Sequence, residues 1–278
     1  MLGQRVITAL VLLALLLPAL FAANPWPFVG LTLLLIAAAG WEWGRLNAAG
    51  PLLSLAMGAM LAAAGAAAAF AGWTGQAPPA AWVLASVLWL AGGAFALKRG
   101  PSAWPHLPRL ARWVLGLVML WVAWLAIAQA RSFGINFILS VFCLVWAADI
   151  SAYAGGRAFG RRKLAPSISP GKSWEGVFAG MAGVLLLALA WLAFDRAYAP
   201  DSASLYTRLY GRLGAVGAVL ALLLLAAMSV VGDLVESLVK RAAGAKDSSR
   251  LLPGHGGVLD RVDALLPVFP IALALAWL

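Results

Sequence analysis

The sequence predicts an all-α, polytopic membrane protein with about nine transmembrane helices, and three observations carry that expectation. Of 278 residues, 64% are hydrophobic, against roughly 45–50% with glycine included for a soluble domain. Charged residues make up only 11%. The apolar residues fall in runs near the roughly 20 residues that a helix needs to cross a hydrocarbon core of about 30 Å. Together these exclude a soluble globular domain and a disordered chain. The one cysteine, Cys143, excludes a disulfide scaffold and a Cys-rich zinc site.

The runs cover residues 6–23, 28–46, 51–72, 80–97, 110–130, 135–154, 174–194, 213–232 and 262–278. The first follows Arg5 in the manner of a signal peptide. Its exit, ALFAANPWP, offers no small-x-small cleavage site and more spans follow, so an uncleaved helix is expected. The last is the weakest, being short and holding Pro267 and Pro270. With the N-terminus placed in the cytoplasm, 16 of the 20 Lys and Arg residues fall in cytoplasmic loops, as the positive-inside rule requires. The net charge of +10 therefore reads as loops beside anionic lipid and not as a nucleic-acid surface.

Polar chemistry is concentrated in the second half. Residues 1–130 contain a single carboxylate, Glu42, and the other nine lie between Asp149 and Asp263. Residues 1–130 are accordingly expected to be scaffold, lipid-facing helices and oligomer contacts, and 131–278 the catalytic region.

The richest stretch is DLVESLVKRAAGAKDSSRLLPGHGGVLDRVD, residues 233–263. Asp233, Glu236, Ser237 and Lys240 fall at i, i+3, i+4 and i+7, one face of a helix. Asp260 and Asp263, three apart, are expected on one side at the start of the ninth span. Gly256 and Gly257 free the backbone to bring N–H groups against an anion. Several acids beside several bases, near a glycine turn at a membrane surface, suit a metal–phosphate site. Hard Mg²⁺ takes carboxylate and phosphate oxygens, and Lys and Arg neutralise the remaining phosphate charge. Taken singly, Lys240, Arg241 and Arg250 are equally well explained as positive-inside loop charges. Asp233, Asp260 and Asp263 are not, because acids near membrane ends are costly unless paired or metal-bound. His255 reads as a phosphate contact or proton carrier, with a plain turn residue as the alternative.

The second stretch is DISAYAGGRAFGRRKLAPSISPGKSWEG, residues 149–176. Asp149, near the inner end of the sixth span, is a functional candidate or a partner for Arg157 or Lys163. Ser169-Pro170 and Ser173-x-Glu175 are helix-start signals, and a helix start with Lys172 beside it favours an anion. For Ser167, Ser169 and Ser173, capping alone is an equal reading. Gly176-x-x-x-Gly180 is expected to allow close helix packing.

The stretch from Ser237 to Asp263 resembles the signature of the phosphatidate cytidylyltransferase (CDP-diacylglycerol synthase) family. The fixed positions are Ser237, Lys240-Arg241, Lys246-Asp247, Pro253, His255-Gly256-Gly257, Asp260-Arg261 and Asp263. The D…AY..G..FG…APSISPGKSWEG pattern is similar too, and the resemblance covers residues 130–278 well. It implies the reaction CTP + phosphatidate → CDP-diacylglycerol + pyrophosphate, dependent on Mg²⁺ with a second cation as an option, in a bacterial inner membrane with the site facing the cytoplasm. It implies Asp233 and Asp260 as metal ligands, supported by Asp263. Lys240, Arg241, Lys246 and Arg261 would neutralise the phosphates. Ser237, Asp247, His255, Gly256 and Gly257 would line the nucleotide or phosphate. Lys172 with Ser167, Ser169 and Ser173 would close the site. The implied partners are CTP, phosphatidate and the bilayer, with a homodimer left open and no nucleic acid.

Two alternatives remain. The D-G-x-x-A-R…G-x-x-x-D-x-x-x-D pattern of another Mg²⁺-dependent membrane phospholipid transferase, the CDP-alcohol phosphotransferases, is absent. A transporter or flippase of anionic lipid would place charges deep in several spans and relate two halves by a repeat, and neither is evident.

Overall fold

The computed structural model describes residues 2–277, with side chains from residue 7 onward. Helices account for almost all of it. In chain order they are α1 (Leu2–Phe21), α2 (Trp26–Leu46), α3 (Pro51–Phe70), α4 (Pro79–Arg99), α5 (Arg109–Ser132), α6 (Ile135–Phe159), α7 (Trp174–Tyr198), α8 (Leu205–Ala242), α9 (Leu259–Val262) and α10 (Leu265–Trp277). A 3₁₀ turn, Pro101–His106, leads from α4 to α5, and a hairpin of β1 (Lys163–Ala165) and β2 (Ser169–Ser173) joins α6 to α7.

Local chemistry sets the boundaries. Proline occupies the first turn of α2, α3 and α4, where its missing N–H costs nothing and its fixed φ suits a helix. Ser173 and Ser204 cap α7 and α8, their hydroxyls accepting from Gly176 N and Thr207 N, which satisfies amides that have no partner within the helix. The helix-start expectation for Ser173 is thus met. Ser169-Pro170, expected as a helix start, does not begin one: the segment before Ser173 is a short antiparallel hairpin, pairing Lys163 with Ser173 and Ala165 with Ser169, so these two residues lie in β2. The helix α8 bends at Gly214, whose φ of 68° and ψ of −177° are non-helical.

Among the described residues, seven helices, α2 to α8, are long and apolar enough to cross a membrane. The expected count of about nine is met only that far. The described apolar part of α1 is Ile7–Phe21. The expected ninth span, 262–278, is represented by the 13-residue α10, whose length of about 20 Å at 1.5 Å per residue is short of a hydrocarbon core. Almost every residue of α10 is buried, because it packs among α8, α4, α5 and α6. This explains its composition: it is apolar on all sides as a central packing element is.

Most of the chain's large apolar side chains that stay exposed lie on helices such as α1, α3, α4 and α7, the surface a lipid solvent would cover. Close helix contact is made by small residues. At Gly176 an added Cβ would lie 2.8 Å from Ala152 O, and at Gly180 it would lie 2.9 Å from Ala148 O. The Gly176-x-x-x-Gly180 expectation holds, and this contact brings the hairpin end of α6 and α7 together.

Helix directions then collect the polar segments. The C-terminal ends of α2, α6 and α8, the hairpin and the 243–263 loop meet at one end of the bundle, joined by Lys172–Asp233, Arg241–Ile168 and Glu42–Ser248 contacts. The opposite end is tied by Asp195, at the end of α7, which accepts from Asn136 Nδ2, Ser204 Oγ and Thr207 Oγ1.

Candidate active site

On α8 the one-face expectation is met. Ser237 Oγ donates to Asp233 Oδ1 at 3.3 Å, and Lys240 Nζ lies 2.5 Å from Glu236 Oε2. Two lysines distribute the acids. Lys172, carried by β2, reaches 2.5 Å to Asp233 Oδ2. Lys240 also lies 2.6 Å from Asp260 Oδ1, so one ammonium holds two carboxylates from different elements.

Asp260 sits in α9 and turns back toward the loop before it. Its Oδ2 accepts from Ser248 N, Ser248 Oγ and Gly257 N, each at 2.8 Å. Burial on its own raises a carboxyl pKa, but the Lys240 ammonium and these donors outweigh it and hold Asp260 at about 2. Asp263 is partnered differently: Oδ1 accepts from Ala264 N at 2.7 Å. Burial and the nearby Asp233 carboxylate push its pKa up. Asp149 on α6 faces the same cluster, close enough to Lys172 and Asp233 to feel both charges.

Two cavities open among the polar segments at this end of the bundle. One, of about 520 Å³, lies between α6, α7, α8 and the hairpin and is lined by Asp149, Tyr153, Arg157, Ser169, Lys172 and Asp233 among others. The other, of about 640 Å³, is walled by the loop, with Lys246, Asp247, Arg250, His255, Gly256 and Arg261 around it. The hairpin-side cavity is lined by exposed Tyr153, an amphipathic aromatic of the kind that sits at a lipid boundary.

Most of the residues singled out in the sequence therefore converge. Asp233, Ser237, Lys240, Asp260 and Asp263 form the centre, and Lys172, Ser169 and Ser173 reach it from the hairpin. Lys246, Asp247, His255 and Gly256 line the loop cavity. Three are placed in ways that spacing alone did not indicate. Arg241 donates to Ile168 O and Ala245 O, so it stitches the hairpin to the loop. Arg261 spends Nε and Nη2 on His255 O, bracing the glycine turn whose cavity it also lines. Ser167 is exposed at the tip of the hairpin.

One residue was missed. Glu42, near the end of α2, is fully buried, and its carboxylate accepts four hydrogen bonds from the signature loop: Ser249 Oγ and Val258 N at Oε1, Ser248 Oγ and Leu259 N at Oε2. The sequence carried a signal for it, as the lone carboxylate of an apolar half, but not for its partners.

The donor set fits a hard cation. Asp149, Asp233, Glu236, Asp260 and Asp263 are five carboxylates facing two lysine ammoniums, and Glu236 Oε1 is buried with no hydrogen-bond donor among the described residues. Among the described residues no three or more His, Cys, Asp or Glu side chains are grouped to enclose a metal unaided. Mg²⁺ does not require that, since it commonly takes one or two carboxylates and fills its shell with water and substrate phosphate.

The model of the cytidylyltransferase family matches residues 3–278. This chain belongs to the cytidylyltransferase family. It is 40% identical over 279 residues to a phosphatidate cytidylyltransferase of Pseudomonas aeruginosa, an alignment covering all of this chain and 97% of that protein. Over 137 residues it is 49% identical to a phosphatidate cytidylyltransferase of Haemophilus influenzae, covering 49% of this chain and 44% of the other. Over 141 residues it is 43% identical to phosphatidate cytidylyltransferase 5, chloroplastic, of Arabidopsis thaliana, covering 51% and 31%. As a cytidylyltransferase, the chain needs a place where a triphosphate can be held and its α-phosphorus exposed to attack, and the charged end of the bundle is where its bases and acids meet.

Proposed function

We propose that this cytidylyltransferase uses CTP and phosphatidate to make CDP-diacylglycerol and pyrophosphate, at the cytoplasmic face of a bacterial inner membrane. The observation that carries the reading is the carboxylate-rich cluster around Lys172 and Lys240, at the end of the bundle that also holds a loop cavity lined by Lys246, Arg250 and Arg261 and a cavity lined by Tyr153, Arg157 and Lys172. A water-soluble nucleotide and a lipid headgroup have to meet at a membrane boundary.

In the reaction a phosphate oxygen of phosphatidate attacks the α-phosphorus of CTP. The new P–O bond forms as the bond from the α-phosphorus to the α,β-bridging oxygen breaks, and pyrophosphate leaves with that oxygen and its electron pair. No nucleophile from the protein is needed, so the chain's work is positioning and charge neutralisation. Lys246, and Arg261 through the guanidinium edge not spent on His255 O, receive the triphosphate beside the glycine turn. Lys172 and Arg157 receive the lipid phosphate from the hairpin side. Ser237 orients Asp233, and His255 contacts phosphate at the mouth of the loop cavity.

Mg²⁺ fits the cluster, with Asp233 and Asp260 as its protein ligands and Asp263 in support; when bound it would neutralise phosphate charge. Asp260 would offer Oδ1, the oxygen that Lys240 holds, because Oδ2 is already occupied by three donors.

The test is transfer itself. Purified protein in detergent, given phosphatidate and labelled CTP, should place label in lipid and release one pyrophosphate per lipid product. Asp233→Asn should abolish this while the protein keeps its fold. Full activity in that variant removes Asp233 from the mechanism, and an inactive wild type with every phosphatidate tried removes the reaction.

A further inference from the structure

We infer that Glu42 is a positioning residue for the transfer: it latches the signature loop to the N-terminal helices and, through Ser248, fixes the orientation of Asp260. The inference rests on the function proposed above and adds a residue from the half of the chain that has no other carboxylate.

A carboxylate buried at the end of a membrane helix is retained only if donors replace its water. Glu42 has four, and every one comes from residues 248–259. Ser249 Oγ lies 2.6 Å and Val258 N 2.9 Å from Oε1; Leu259 N lies 2.7 Å and Ser248 Oγ 3.1 Å from Oε2. The two serines open the loop's central stretch and the two amides open α9, so a single side chain gathers both ends of the segment that carries the Pro253–Gly257 turn. Without it, the Val258 and Leu259 N–H groups and the Ser249 hydroxyl lose their acceptor in a buried pocket, and the Ser248 hydroxyl loses one of its two.

The connection to Asp260 is direct. Ser248 Oγ lies 2.8 Å from Asp260 Oδ2 as well as near Glu42, and Ser248 N donates to the same Asp260 oxygen. A hydroxyl has one proton to give, so Ser248 stands between two carboxylates and its placement is set jointly by them. Gly257 closes the arrangement. A Cβ there would run into Ser248 Oγ and Glu42 Oε1, which leaves room only for hydrogen, while its N–H holds Asp260. Displacing Glu42 would therefore move Ser248, and with it two of the three donors that hold Asp260 Oδ2.

The test pairs kinetics with a readout independent of turnover. Lys246 and Arg250 are exposed and flank the buried Ser248 and Ser249, so trypsin reports opening of this segment. Full-length wild type, Glu42→Gln, Ser248→Ala and the double variant are compared in detergent. In Glu42→Gln, cleavage after Lys246 or Arg250 should quicken about tenfold or more, since the amide presents donors where acceptors are needed. Its kcat should fall about tenfold or more with KM for CTP within about threefold, the pattern of a lost transition-state contact. The double variant should lose little beyond the worse single variant, because both act through one hydroxyl.

If Glu42→Gln fails to accumulate in membranes, Ser248→Ala carries the kinetic arm and should show the same split. Unchanged kcat in Glu42→Gln with faster cleavage overturns the positioning role. Multiplying losses in the double variant overturn the route through Ser248. A wild type with no transfer fails the functional reading itself and the positioning role with it, whereas wild-type transfer beside a fully active Glu42→Gln fails only the inference about Glu42.

Discussion

Replacing Lys240 by methionine keeps an unbranched stem one atom shorter and removes the one charge that two buried acids share. Lys240 Nζ lies 2.5 Å from Glu236 Oε2 and 2.6 Å from Asp260 Oδ1, with side-chain exposures of 11%, 3% and 6% for the three residues. Solvent therefore screens these pairs little. Removing one partner of a buried ion pair costs about 3–5 kcal/mol, chiefly because the other charge is left buried without compensation. At about 2–4 °C per kcal/mol for a chain near this size, the apparent Tm should fall by roughly 6–20 °C. Tryptophan fluorescence of the protein in detergent, scanned at one fixed rate because unfolding of such a protein is in practice irreversible, measures it. Lys240→Met/Glu236→Gln, which also removes one of the stranded acids, should recover about half of the loss or more. A fall of less than about 2 °C in Lys240→Met would refute the argument that this ammonium neutralises the buried pair.

Three further outcomes follow from the same geometry. Asp260 has its carboxyl held at about 2, below the roughly 3.9 of an unfolded chain; a depressed carboxylate stabilises above the unfolded value and that stability is lost as pH falls through the folded one. Apparent Tm of the wild type should thus drop more steeply than that of Asp260→Asn between about pH 4 and pH 2, and parallel curves would contradict it. Gly257→Ala should cut kcat about tenfold or more because its methyl occupies the space of Ser248 Oγ and Glu42 Oε1, as steady-state kinetics would show. Asp195→Asn breaks the network with Ser204, Thr207 and Asn136 at the far end of the bundle and should lower stability by about 1–3 kcal/mol while leaving kcat within about twofold, since α7 is 25 residues long and separates the two ends by more than 30 Å at about 1.5 Å per residue.

The helices were readable because lipid-crossing segments need long apolar runs, and prolines and serines mark where those runs begin. Asp233, Glu236, Ser237 and Lys240 were readable as one face because helical spacing fixes it. The central place of α10 was not readable: an apolar stretch looks the same whether it faces lipid or other helices, and only the shortness of the 262–278 run and its prolines set it apart. The hairpin was half legible, since Ser173 announces the cap of α7 while nothing local forces β1 to pair with β2. Glu42 was legible as an anomaly and opaque as a partner, because the serine it holds lies 206 residues further along the chain and only tertiary packing joins them. The hydrogen-bond partners of Arg241 and Arg261 were opaque for a related reason: the Ile168 and His255 carbonyls are backbone atoms with no signature in the sequence.

The central claim is that the acids and bases at this end of the bundle direct a lipid phosphate to the α-phosphorus of CTP. CTP labelled at the α-phosphorus and, separately, at the γ-phosphorus, supplied with phosphatidate and Mg²⁺ to the detergent-solubilised protein, tests it most directly. The account predicts α-label in the lipid extract, γ-label in aqueous pyrophosphate, and neither transfer in Asp233→Asn. Label from the γ-position in lipid, or α-label in lipid undiminished by Asp233→Asn, would contradict it.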